Sequence, residues 1–255
     1  VLRVMLEYPY GIRNPFGFVS YFRKYWELAV FGFVYNAAIW VDKLVMWLAA
    51  DAQVSAIGLV SNPPYDSAMF LAHLTTIPAL AVFVVSIETE FFEHYQKFYR
   101  AIQHHATLAE IRQNQRRIIE VLSLSGRNIL ILQTIICVLA ILASPALLGL
   151  LHVEAVQIGI FRLGVLGSLF QILFVFLGIV LAYFDLRHRL MQISLFYLVM
   201  NAISTYLTLD LGFAWYGYGF FIASLAAFLL AFLICVFELR RLPYLTFVKN
   251  NSSIS

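Results

Sequence analysis

Along this chain, long apolar blocks alternate with short polar segments, and the blocks cover approximately residues 26–48, 68–91, 129–151, 158–184, 190–209 and 214–239. Each is near the run of about 20 residues that crosses a hydrocarbon core about 30 Å thick. None shows the ten-residue alternation of a membrane barrel strand, and a backbone in lipid must satisfy its own hydrogen bonds, so each block is predicted to be a helix. The expected fold is all-α: a polytopic membrane protein with a six-helix transmembrane bundle. Residues 1–25 read as a segment preceding the bundle, 93–128 as a connector between spans two and three, and 240–255 as a tail.

Composition agrees with a lipid environment. Apolar residues make up 62% of the 255 and charged residues 12%, against roughly 25% charged in soluble domains. The formal charge of +3 does not point to nucleic acid, because the basic residues flank apolar spans and membrane topology accounts for them. Cys137 and Cys235 both fall inside apolar blocks, where a small buried thiol is the ordinary role and no disulfide framework is supported. The opening residues are a mixed polar, aromatic and Pro/Gly segment resembling an interhelical loop, so the sequence reads as the interior of a longer chain.

Lysine and arginine set the expected orientation, since basic residues near helix ends are retained in the cytoplasm. Arg3, Arg13, Arg23 and Lys24 precede the first span. Lys97, Arg100, Arg112, Arg116, Arg117 and Arg127 follow the second, Arg187 and Arg189 the fourth, and Arg240, Arg241 and Lys249 the sixth. The alternate loops 49–67, 152–157 and 210–213 contain no lysine or arginine. Both ends are therefore expected in the cytoplasm, with these three loops outside.

The connector carries Phe98, Ile102, Leu108, Ile111, Ile118 and Leu122 among charges in a helical rhythm, which predicts an extension of helix two followed by a surface helix. Its apolar stripe suits packing on the bundle, lipid contact or partner docking. His104 and His105 are adjacent and diverge on a helix, a poor metal pair. Gly159, Gly164, Gly167 and Gly178 in span four, with Gly219, Ala223, Ala226 and Ala227 in span six, predict close helix packing. Pro78 and Pro145 predict bends in spans two and three.

No phosphate loop, zinc-protease helix, nucleophile elbow or acidic metal pair is present, so neither catalysis nor a cofactor is implied. The informative residues are ionisable groups within spans, each costing about 2.5–3.5 kcal/mol on insertion scales unless partnered or wet. Asp42 and Lys43 lie in the outer part of helix one, His73 in the outer part of helix two, Arg162 near the outer end of helix four, and Glu88 and Glu90 toward the inner end of helix two. If their faces converge, they flank a polar translocation path. The structural alternative pairs Asp42 with Arg162, lets Lys43 snorkel outward, and leaves Glu88 and Glu90 at the wet inner interface. Glu88 and Glu90, at i and i+2, face about 200° apart on an α-helix and do not share an ion. The many aromatics near span ends read as interface anchors.

The stretches FGFVYNAAIWVDKLVMW (31–47), VSNPPYDSAMFLAHLTTI (60–77) and ETEFFEHYQKFYRAI (88–102) resemble the PelG family of Pel exopolysaccharide transporters. The resemblance extends over essentially the whole chain. It implies membership of the multidrug/oligosaccharidyl-lipid/polysaccharide exporter superfamily, whose members place two six-helix lobes around a central cavity and work by alternating access, and this chain is similar to the second lobe. It further implies export of Pel, a partly deacetylated, cationic amino-sugar polysaccharide, across the inner membrane to the periplasm. A cytoplasmic glycosyltransferase and a cyclic-di-GMP-responsive membrane subunit are the implied partners, with the connector as their docking surface. Acidic Asp42, Glu88 and Glu90 suit a cationic cargo, while Lys43, His73 and Arg162 would balance charge or gate the path. A non-transporting scaffold that anchors a polysaccharide synthase is the alternative.

Overall fold

The computed structural model describes residues 19, 23, 25–104, 106–150 and 157–242, without the Glu88 side chain. The fold is an all-α polytopic bundle: among the described residues six helical segments are long and apolar enough to cross a membrane. In chain order these are α1 (Trp26–Met46); a broken second span of α2 (Pro63–Leu74), α3 (Ile77–Ser86), a π-helical turn (Ile87–Phe91) and α4 (Phe92–Gln103); α5 (Leu108–Leu150); α6 (Ile158–Tyr183); α7 (Arg187–Leu209); and α8 (Tyr218–Arg240), led by a 3-10 turn (Phe213–Trp215). Between α1 and α2 the chain forms a short antiparallel hairpin, β1 (Gln53–Val54) and β2 (Val60–Ser61), pairing Gln53 with Ser61 and Val54 with Val60. The bundle thus has a hairpin end and, opposite it, a basic end carrying Arg187, Arg189 and Arg240.

Helix α6 is the hub. It is buried along most of its length and packs against α2, α5 and α8. Helix α8 also packs on α7, and α7 in turn holds α1. Close approach depends on small residues: a Cβ at Gly219 would lie 2.5 Å from the Thr205 Cα, which is backbone, so α7 and α8 could not pack as they do. A Cβ at Gly164 would lie 2.8 Å from both the Ala72 Cβ and the Met69 Sδ, fixing the α2–α6 contact. Gly178 has only ordinary contacts, and Gly159 faces open space.

The two prolines act differently. Span two breaks at Thr75–Thr76, and Pro78 lies in the first turn of α3, where its missing N–H costs little. The threonine hydroxyls add second donors to carbonyls at the break, Thr75 to Ala72 O at 2.6 Å and Thr76 to His73 O at 2.7 Å, beside the backbone N–H groups of the same two residues. Helix α5 instead continues through Pro145. Proline there strips the donor from the Ile141 carbonyl four residues back, and the Ser144 hydroxyl supplies a replacement at 2.7 Å.

The connector differs from a separate surface helix. After α4 the chain turns and enters a single helix of 43 residues that is connector at its start and span three at its end. Ile111, Ile118 and Leu122 are buried along that first half, and the Gln115 amide donates to Leu239 O at 2.7 Å. Apart from Leu108, which stays exposed, the apolar stripe packs on the protein. His105, residues 151–156 and the residues beyond 242 lie outside the described residues.

Candidate functional site: a cleft between α1 and α2

Helices α1 and α2 are neighbours in sequence yet touch little, because α1 is held by α7. The Asn201 amide on α7 donates to Ala38 O at 2.8 Å. What remains between α1 and α2 is a cleft of about 380 Å³ at the hairpin end. Its α1 wall is Ile39, Trp40, Lys43 and Trp47, and its α2 wall is Asp66, Phe70 and His73. Both sets recur at steps of three or four residues, the spacing that puts side chains on one helical face.

Behind the cleft lies a buried polar brace. Asp42 is fully buried. Its carboxylate accepts from the Tyr65 hydroxyl at 2.9 Å and from the Lys43 ammonium at 3.1 and 3.2 Å. Lys43 also donates to Ile39 O at 3.2 Å and lies 5.9 Å from the Trp40 ring centre. The charges of Asp42 and Lys43 cancel, which is how an ionised carboxylate is retained without water. Lys43 therefore turns back onto its own helix instead of reaching outward.

Asp66 is the second carboxylate, and it sits in the cleft wall. Its Oδ2 accepts from Trp47 Nε1 at 3.2 Å and from the Asn62 backbone N–H at 3.1 Å, which orients the side chain. Asn62 itself caps α2, accepting from the Tyr65 N–H at 3.2 Å. Asp66 Oδ1 is buried and has no hydrogen-bond partner. His73, two turns along, receives or gives its Nδ1 hydrogen bond at Met69 O, 2.7 Å away, and its ring centre lies 5.3 Å from that of Phe220. Its Nε2 is the other unpartnered buried atom on this wall, with the Gln171 side chain beside it.

Of the six ionisable residues singled out by sequence, the fold brings Asp42, Lys43 and His73 together and places the others elsewhere. Arg162 does not reach Asp42. It is exposed, and its Nε donates to Ser144 Oγ at 2.9 Å, completing the relay that repairs the Pro145 break. Glu90 is exposed in the π-helical turn, which packs against α5. Glu88 shares that turn, and its side chain is outside the described set. Tyr65, Asp66, Trp40 and Trp47 complete the site and were not anticipated as functional. Glu238 is a further buried acid, near the basic end of α8, where it accepts from Arg189 Nε at 2.7 Å. Among the described residues no group of three or more His, Cys, Asp or Glu converges as a metal site.

Residues 1–247 match the family model described as "PelG: Putative exopolysaccharide Exporter (EPS-E)". The chain belongs to the PelG family. No curated protein and no solved structure matches it. Apolar ring faces with a few fixed polar atoms are the usual makings of a pocket that orients a ligand. In this PelG chain the rings are Trp40, Trp47 and Phe70, and the fixed polar atoms are those of Asp66, His73 and Lys43.

Proposed function

We propose that this chain forms one six-helix lobe of an inner-membrane exporter that moves a Pel-type, cationic amino-sugar exopolysaccharide to the periplasm for the biofilm matrix. The cleft between α1 and α2 is part of the wall of the path, and a second six-helix lobe closes the other side. The carrying observation is Asp66 Oδ1, buried without a hydrogen-bond partner in the wall of a cleft that also holds three aromatic side chains. A carboxylate oxygen without a partner suits a sugar ammonium or hydroxyl, and ring faces suit the C–H faces of a pyranose. Within this reading Asp42, Lys43 and Tyr65 brace the wall. Glu88 and Glu90 attract ammonium groups at the basic end, and Arg162 secures the top of α5.

Both chain ends are assigned to the cytoplasm on the charge asymmetry of the loops. The exposed face of α4 and the start of α5, rich in Lys97, Arg100, Arg112, Arg116 and Arg117, is assigned to docking of the cytoplasmic glycosyltransferase and the cyclic-di-GMP-responsive subunit.

Titration of the purified full-length protein with partially deacetylated N-acetylglucosamine oligomers, followed by tryptophan emission, tests the cleft. Saturable binding weakened about tenfold by Asp66→Asn, the scale of one lost charge-assisted contact, supports the assignment. Absence of binding at an intact fold favours a scaffold that anchors the synthase.

A further inference from the structure

On the side of α6 away from α1, helices α5 and α8 diverge and leave a groove of about 500 Å³, within the range of about 300–1,000 Å³ typical of small-ligand pockets. Leu173, Phe176 and Leu177 of α6 form the floor, and Leu130, Phe228 and Phe232 line the walls. The groove closes at the basic end, where Gln115 bonds the Leu239 carbonyl. Next in sequence to its lining residues, Ile131, Leu233 and Phe237 are exposed apolar side chains on helices of membrane-spanning length and composition. Its occupant therefore comes from the bilayer.

Two arginines line this apolar groove, Arg127 on α5 and Arg240 on α8, with Ser123 one turn before Arg127 and no acidic residue among the lining. Neither guanidinium makes an ion pair or a hydrogen bond with another described residue. Arg127 lies twelve residues past Gln115, roughly 18 Å further along α5 at the helical rise. Side chains tilt toward the N-terminus of their own helix. The α5 N-terminus is at the basic end and the α8 N-terminus at the hairpin end, so Arg127 and Arg240 lean toward one another along the groove. Both arginines are exposed, and two cations without an ion-pair partner beside an apolar groove suit an anionic lipid headgroup.

We infer that the α5–α8 groove binds an anionic phospholipid, its phosphate held between Arg127 and Arg240 and one acyl chain lying over Leu173, Phe176 and Phe232. The lipid supplies the missing counter-charge and fills the space between α5 and α8, which no direct packing joins over the length of the groove. The site is separate from the α1–α2 cleft and stands whether or not that cleft holds sugar.

The test is native mass spectrometry of the full-length protein, delipidated and re-equilibrated with equal phosphatidylglycerol and phosphatidylethanolamine. The wild type should retain phosphatidylglycerol with a preference of about tenfold, the scale of two basic contacts to an anionic lipid. Arg127→Gln with Arg240→Gln should abolish the preference, and Leu130→Trp, which fills the groove with both arginines kept, should lose the bound lipid. Equal retention of the two lipids by the wild type overturns the assignment, as does an undiminished preference in the double variant. Displacement of phosphatidylglycerol by equimolar polyprenyl phosphate would overturn the choice of a phospholipid in favour of a carrier lipid.

Discussion

The Tyr65 hydroxyl donates to Asp42 Oδ2 across 2.9 Å, and both residues are fully buried. This bond joins α2 to α1 directly, where the two helices otherwise make little contact. Replacing Tyr65 with Phe removes one of the two donors to Asp42 Oδ2 and leaves Lys43 as the other, in a fully buried site. The expected loss is about 1–3 kcal/mol of stability, visible as a lower thermal midpoint of the purified protein.

Lys43 and Asp42 neutralise one another, so their substitutions should not add. Lys43→Met alone strands a buried carboxylate and is expected to cost about 3–5 kcal/mol. Combining it with Asp42→Asn removes the stranded charge and should recover most of that loss. A double-mutant cycle on thermal stability measures the coupling, and additive effects would show that the two side chains act independently.

Arg162 and Ser144 are assigned a structural part. Ser144→Ala removes both the donor to Ile141 O and the acceptor for Arg162. The expected cost is about 1–2 kcal/mol, with export per folded protein unchanged. A fall in export at normal membrane abundance would move Arg162 into the path.

Gly219→Ala should be poorly tolerated, because the new methyl meets the Thr205 backbone, and overpacking of this kind costs about 1–3 kcal/mol. Gly159→Ala, in open space, is the matched control and should stay within about 0.5 kcal/mol of wild type. Comparing membrane abundance and thermal midpoints of the two separates close packing from helix propensity.

The six spans were legible because a block of apolar residues this long has few alternatives in lipid, and observed helix ends such as Trp26–Met46 and Ile158–Tyr183 fall within a few residues of the apolar boundaries. Asp66 falls outside the spans for a related reason: hydropathy starts span two at residue 68, whereas α2 begins at Pro63. The signal was present, since Asn62 followed by proline at the first helical position is a helix start. Glu238 escaped notice because it lies one residue inside the end of span six, where charges are ordinarily wet. Pairing was harder to read. Asp42 and Lys43 are adjacent, and only the length of the lysine stem and the closeness of α7 decide that Lys43 folds back. The continuity of α5 was hidden by the change from charged to apolar sequence near residue 128, which alters the surroundings of a helix without ending it.

Export by cells carrying the full-length protein with Trp40→Ala or Asp66→Asn, normalised to the amount of folded protein in the membrane, tests whether the α1–α2 cleft faces the polysaccharide. Trp40 is 55% exposed, so its loss should leave stability within about 0.5 kcal/mol of wild type. Secreted polysaccharide should nevertheless fall about tenfold in each variant, as one lost stacking or charge-assisted contact predicts. Wild-type export from both variants would contradict the account.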